Sequence, residues 1–319
     1  MNLRNFEFTD LYFSDQGDAF VRGSEESDGP IGYVPVEYSE ELDLLHKKVT
    51  ARGQQEKEFF LDVDGVRYRV SKIESIDGVW YALRKAKFPI PRLGDIGIHP
   101  RIVQYLGKLG RRHGLLVFSG ATGNGKTTTA CSLLQEYMIA YGDVGITIED
   151  PPELPLNGRH GDFGRCFQIK VENGDFGRAM SQTMRYNPRY ILLGEIRAPY
   201  EASQALRAAI NGHLVITTIH AGSVQEAINS LLKLVSGQEN LELARTVLAD
   251  GLSGVLHQKL IKTKHGRKPK IDFLFTGLGD PEDSGIRTKI RQGKIEQLST
   301  EIEQQLTRVM NGKLPIGGN

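Results

Sequence analysis

Gly120-Ala121-Thr122-Gly123-Asn124-Gly125-Lys126-Thr127 fits the pattern GxxxxGK[ST], and the residues around it decide how the second half of the chain folds. The apolar run Leu115–Ser119 precedes it. A stretch with Ala130, Leu133, Leu134 and Met138 at helical spacing follows. That order, buried strand then glycine loop then helix, is the context in which this motif binds phosphate. Glycines let successive backbone N–H groups turn toward one anion, and the helix beginning near Lys126 points its positive dipole end at the same place. Lys126 is placed to bridge phosphate oxygens. The Thr127 hydroxyl is a hard oxygen donor of the kind Mg²⁺ takes. Gly120, Ala121, Thr122, Gly123, Asn124, Gly125, Lys126, Thr127 and Thr128 are therefore the expected nucleotide-binding residues.

Working outward, short apolar runs alternate with helical patterns from about residue 100 onward. The expected strands are Leu115–Ser119, Val144–Ile148, Tyr190–Leu193 and Leu214–Ile219. Near-continuous apolar strands of this length belong to a parallel sheet covered on both faces. Two of them lead into acids. Ile146-Thr-Ile-Glu-Asp-Pro-Pro-Glu153 carries Glu149, Asp150 and Glu153, and Tyr190-Ile-Leu-Leu-Gly-Glu195 ends on a carboxylate. Ligands of open α/β sheets bind outside the carboxyl ends of the strands, so these acids fall where a nucleotide would need a base and a metal-shell group. Gly212-His-Leu-Val-Ile-Thr-Thr-Ile-His220 closes the next strand with Thr217, Thr218 and His220 at its polar end. A histidine there can donate to a γ-phosphate oxygen that hydrolysis removes.

Before residue 90 the pattern is a small α+β unit. Ser39–Val49 reads as a helix. Phe59–Val63 and Val66–Val70 flank Asp64-Gly65, whose residue types suit the φ > 0 positions of a tight hairpin. On such a strand Arg67 and Arg69 share one face, and Val66, Tyr68 and Val70 the other. Pro89, Pro91 and Gly94 then punctuate the chain. The expected division is an N-terminal domain over 1–90, a stiff linker over 91–100, and a nucleotide-binding domain over 101–319 with C-terminal helices. Ile271–Phe275 reads as a strand, about Lys294–Met310 as an amphipathic helix, and the tail from Leu314 as frayed.

The chain has 319 residues and a formal net charge of +1, so composition gives no general case for a polyanionic partner. The charge is unevenly spread: residues 1–45 hold eleven acids and two bases, and His257–Lys270 holds six bases and no acid. Both read as solvated surface. The two cysteines, Cys131 and Cys166, form no metal or redox pair. No apolar run approaches the length needed to span a bilayer, so the expectation is a soluble protein with peripheral membrane contact only.

The four segments, in this order, resemble the secretion and type IV pilus motor ATPases, the PilT/DotB-like group of the GspE-like secretion NTPases, where they are called Walker A, Asp box, Walker B and His box. The likeness covers about Phe59 to Ile261. It implies a RecA-like P-loop ATPase domain preceded by a smaller α+β, PAS-like domain, in a homohexamer that hydrolyses ATP with Mg²⁺. It also implies a cytoplasmic location peripheral to the inner membrane, with a platform protein of a pilus or of a type IVB-type secretion or conjugation machine as partner and no nucleic acid. By the same likeness Lys126 and Thr127 match the nucleotide and Mg²⁺ ligands, and Glu153 the catalytic glutamate. Glu195 matches the Walker B acid and second metal-site residue, and His213 and His220 the His-box pair. Arg67, Arg69 and Arg84 match arginines that reach a phosphate bound to a neighbouring subunit or domain.

The sequence departs from the family pattern at Ala121 and Asn124, where Pro and Ser are usual, at Pro152, at Ile196-Arg-Ala after Glu195, and at Thr217-Thr218, which adds a hydroxyl near the γ-phosphate. The tetracysteine zinc site of the GspE-like assembly branch is absent. Gly285-Ile-Arg-Thr-Lys-Ile-Arg291 loosely resembles the retraction motif of PilT. The alternatives are a RecA-like nucleic-acid helicase or translocase, and a non-hydrolysing regulatory nucleotide-binding module. Against the first stand the near-zero charge, the acidic start and the lack of a basic groove studded with aromatics. Against the second stands a motif set with every catalytic group present.

Overall fold

A computed structural model describes residues 3, 5–24, 27–85, 89–171, 174–263, 266–276 and 281–312; the tail from Leu314 lies outside them. The chain divides into two compact units. One comprises Met1–Pro89 with Glu153–Pro155, the other Ile90–Pro152 with Leu156–Asn319.

In the first unit β1 (Asp10–Ser14), β2 (Ala19–Arg22), β3 (Ile31–Gly32), β4 (Glu58–Val63), β5 (Val66–Ser75) and β6 (Gly78–Lys85) form an antiparallel sheet in the order β3-β2-β1-β6-β5-β4. Val63 pairs with Val66 across Asp64 and Gly65, whose φ values of 49° and 76° are those of a type I′ turn. One face is apolar: Leu11, Phe13, Val21, Tyr68, Val70 and Leu83 are buried with Leu45 and Val49 of helix α1 (Ser39–Gly53). The alternation of the strands puts Arg67, Arg69 and Arg84 on the other face.

The second unit is built on a sheet of order β14-β13-β7-β12-β11-β8-β10-β9 among the described residues. Helix α2 (Pro100–Leu109) enters it, started by Pro100 at its first turn and by the His99 side chain, which accepts from the Arg101 N–H. Strand β7 (Gly114–Ser119) runs into the glycine loop and α3 (Lys126–Tyr141), then β8 (Asp143–Glu149), β9 (Gly158–His160) and β10 (Gly164–Lys170). Next come α4 (Phe176–Met184), β11 (Tyr190–Leu193), α5 (Pro199–Ile210), β12 (Leu214–Ile219), α6 (Val224–Val235) and α7 (Leu241–Gly251). The last elements are β13 (Leu252–Thr263), β14 (Gly266–Phe275), α8 (Pro281–Arg291) and α9 (Ser299–Met310).

Strands β13, β7, β12, β11, β8 and β10 pair parallel, and β14 and β9 are antiparallel edges. This is the doubly covered parallel sheet that the apolar runs predict, the RecA-like arrangement. Alternate strand residues, among them Leu115, Val117, Ile146, Ile148, Ile191 and Val215, join one core with buried side chains of α5, α6 and α7. Helix α3 packs on β8, β11 and β12. The four expected strands lie within one or two residues of their observed ends.

Four local features go beyond the sequence pattern. The expected C-terminal helix is interrupted: Ile295–Leu298 is a 3₁₀ turn, and α9 starts at Ser299. Residues of the 285–291 motif form the last two turns of α8, where Ile286 and Ile290 pack into the core. The described residues of the basic tract pair as antiparallel strands, and its start is buried rather than solvated: Gln258 is 2% exposed. Ile90, Leu93 and Ile98 of the Pro-rich stretch are buried, and the Leu93 N–H donates to the Glu136 carboxylate at 2.6 Å.

Candidate active site

The parallel register brings the expected nucleotide residues of the second unit to one edge of its sheet. Ser119 pairs with Ile219, Leu193 with Thr217, and Leu193 with Ile148. Gly120, His220, Glu195 and Glu149 therefore all sit at or just past the carboxyl ends of adjacent strands, the edge where such sheets bind ligands.

The loop from Gly120 to Gly125 has the conformation that its glycines predict. Gly120, Gly123 and Gly125 have φ of 146°, 79° and 77°, a region costly for side chains with a Cβ. A Cβ on Gly120 would come 2.3 Å from the Gln258 carbonyl, whereas Gly123 faces open space. No side chain caps the N-terminus of α3, leaving it for an anion. Lys126 is 7% exposed, and its Nζ donates to the Gly120 carbonyl at 2.8 Å and the Ala121 carbonyl at 3.1 Å. It is thus folded back over the loop it would serve. The half-buried hydroxyls of Thr127 and Thr128 have no hydrogen-bond partner among the described residues.

Glu195 is the most tightly framed acid. Its Oε1 lies 3.2 Å from His220 Nε2, and its Oε2 accepts from Arg197 at 2.7 Å, with the side chain 19% exposed. The acid after β11 and the histidine after β12 are thus in direct contact. Beneath them the Thr218 hydroxyl donates to the Gly194 carbonyl at 2.8 Å, and Thr217 is fully buried. Thr218 thereby ties β12 to the turn that carries Glu195, and the Thr217 hydroxyl, the one added relative to the family pattern, donates to the Thr218 carbonyl at 3.5 Å. Glu149 closes β8, buried, with Oε1 accepting from Gln168 at 3.2 Å. Glu153, exposed, falls in the segment grouped with the first unit.

His213 is not brought to this edge. It precedes β12, and its Nδ1 lies 2.6 Å from the Pro188 carbonyl. At about 3.3 Å per residue, β12 separates it from His220 by roughly 20 Å.

In the first unit Arg67 is engaged within its own sheet. Its guanidinium donates to both oxygens of Asp62, at 2.8 Å each, and this hydrogen bonding holds the Asp62 carboxyl below its ordinary value. Arg84 donates to both oxygens of Asp10, at 2.7 and 3.3 Å, and the bond raises the guanidinium pKa. Arg69, directly opposite Arg84 in register, has no ion pair or hydrogen bond among the described residues.

Two residues that no motif singles out also touch this edge. His257 Nδ1 lies 3.2 Å from Ser119 Oγ, and burial, with Lys259 and Lys126 nearby, pushes its pKa down. Gln258 contacts the loop itself. Their signal was the apolar run Leu252–Leu256 leading into the basic tract.

These features fit a nucleotide with its metal. The cradle accepts no side chain at Gly120, the helix end is uncapped, and the cation and hydroxyls are of the right type. Among the described residues no group of three or more His, Cys, Asp or Glu is placed to hold a metal.

A family model described as type II/IV secretion system protein matches residues 39–307. The chain belongs to the type II/IV secretion system protein family. It is 32% identical over 243 residues to the Escherichia coli K12 protein YggR, described as uncharacterized, covering 74% of this chain and 70% of that one. It is 27% identical over 286 residues to the type IV pilus retraction ATPase PilT of Pseudomonas aeruginosa, covering 86% and 78%. A crystal structure of the pilus retraction motor PilT with bound ADP is similar at a TM-score of 0.76 and 26% identity, over 94% of this chain and 87% of that one.

Proposed function

We propose that this family member hydrolyses ATP to ADP and phosphate with Mg²⁺, as one subunit of a hexameric motor that powers a type IV pilus, retraction-like, or a type IVB-type secretion or conjugation machine. The observation that carries the reading is the convergence of the phosphate loop, Glu195 and His220 at one sheet edge. It is supported by the similarity to PilT over nearly the whole chain.

The residues divide the work. The backbone from Gly120 to Gly125, with Lys126, Thr127 and Thr128, holds the phosphates; Thr127 would ligate Mg²⁺ and Glu195 would accept from its water shell. When bound, Mg²⁺ supplies charge neutralisation between the β- and γ-phosphates. Glu153 takes the proton of the attacking water. His220, held by Glu195, donates to the γ-phosphate and registers its loss. Arg69 reaches a phosphate held by a neighbouring copy, with Arg84 and Arg67 shaping its approach. His213 binds no nucleotide in this reading; its place is at the far end of β12. The partner is an inner-membrane platform protein met from the cytoplasmic side. No helix of the described residues is long and apolar enough to cross a membrane.

Phosphate release by the purified chain with ATP tests the activity, and particle mass with and without ATP tests the ring. The proposal expects release that stops when Mg²⁺ is chelated, and a mass near six copies. Release unaffected by chelation, or a monomer at every nucleotide concentration, contradicts it.

A further inference from the structure

Gln258 stands where β13 leaves its neighbour. The register between β13 and β7 runs to His257 and Ser119, after which β7 gives way to the phosphate loop. Side-chain bonds continue the pairing there. Gln258, 2% exposed, uses both ends of its amide: Oε1 accepts from Thr129 Oγ1 at 2.8 Å, and Nε2 donates to the Asn124 carbonyl at 2.6 Å. Two residues on, the Leu260 N–H donates to Asn124 Oδ1 at 3.1 Å. The Gln258 carbonyl is the atom that leaves no room for a Cβ on Gly120.

This geometry bears on the loop's function. In a trans peptide the carbonyl and the N–H point in opposite directions. By holding the Asn124 carbonyl, Gln258 aims the Gly125 N–H away from β13. Gly125 itself is in the left-handed region, at φ 77°, so the peptide is set from both sides. Thr129 extends the hold to the first turn of α3: its single hydroxyl proton goes to the nearer acceptor, Gln258 Oε1, with the Gly125 carbonyl 3.2 Å away.

We infer that Gln258 is a positioning residue for nucleotide binding: it holds the 124–125 peptide and the start of α3 in the conformation that presents N–H groups to phosphate. The inference rests on the proposed nucleotide site. It goes beyond that site because Gln258 itself touches no phosphate.

The test is titration of the full chain with a fluorescent ADP, alongside thermal melting. Gln258→Leu keeps the bulk and loses both bonds. Gln258→Glu keeps the acceptor for Thr129 and loses the donor to Asn124. Both are expected to weaken ADP binding about tenfold, as loss of buried hydrogen bonds does. Thr129→Val is expected to weaken it, and Thr129→Ser, which retains the hydroxyl, to bind like wild type. The double variant Gln258→Leu/Thr129→Val is expected to bind no worse than Gln258→Leu, since the two residues share one bond. A merely structural role would lower the melting temperature and leave ADP affinity within twofold of wild type in the folded variants, and that result overturns the inference. If Gln258→Leu does not fold, the pair Thr129→Val and Thr129→Ser decides alone: equal affinity overturns it. Wild type that binds no ADP overturns the proposed function, and this inference with it.

Discussion

At the carboxyl edge of the second unit's sheet, charged groups are held by one another: Glu195 stands between His220 and Arg197, and Lys126 folds onto the loop carbonyls. On the first unit's sheet, Arg67 and Arg84 are each bound to an acid of a neighbouring strand, and Arg69 is left over. The first arrangement suits a ligand, because its groups sit at the rigid carboxyl ends of adjacent strands and the helix that follows the loop has no side-chain cap. The second is mainly a sheet surface satisfying its own charges. Three arginines equivalent in sequence terms are thus unequal in structure, and of the three Arg69 has no side-chain partner among the described residues.

The sharpest way to break this comparison is at the edge itself. Glu195→Gln keeps the shape and removes the charge shared by His220 and Arg197, and is expected to lower ATP turnover about 10²-fold or more. Turnover within a few-fold of wild type would mean the cluster is structural. Arg69→Ala is expected to cost about 10²-fold in turnover with nucleotide affinity preserved, as for an arginine supplied to a transition state in another subunit, and Arg67→Ala less than about fivefold. Equal losses in the two would erase the distinction drawn from Asp62. His220→Ala is expected to slow turnover by tenfold or more, and His213→Ala, some 20 Å away along the strand, by no more than a few-fold.

The smallest effect is on stability. The Arg67 hydrogen bonds lower the Asp62 pKa, so this pair stabilises the fold above the carboxylate's unfolded pKa, about 3.9, and the contribution is lost as pH falls through the lower folded value. Asp62 is well exposed, with 60% of its side chain accessible. Asp62→Ala is therefore expected to cost about 1 kcal/mol or less at pH 7, by denaturant melting, with the difference from wild type shrinking as pH falls through the lowered folded pKa.

The P-loop, the four central strands and the Asp64-Gly65 turn were legible because each is written locally: a glycine pattern, an apolar run, a dipeptide that tolerates φ > 0. What was not legible depends on contacts between distant segments. Gln258 lies 134 residues from Asn124, in a tract where alternating lysines read as solvated surface. The hold of Asp62 on Arg67 was closer to hand, since the two are paired across a hairpin whose turn had been read; pairing by register, not by face alone, separates Arg67 from Arg69. The two histidines were likewise separable in principle, because a six-residue strand between them cannot bring both to one edge.

The central claim is that the loop around Lys126 is where ATP is bound and split. Phosphate release by Lys126→Ala, compared with wild type at saturating ATP and Mg²⁺, tests it most directly. The account predicts that release falls to background while the variant melts as a folded protein. Turnover at the wild-type rate would contradict it.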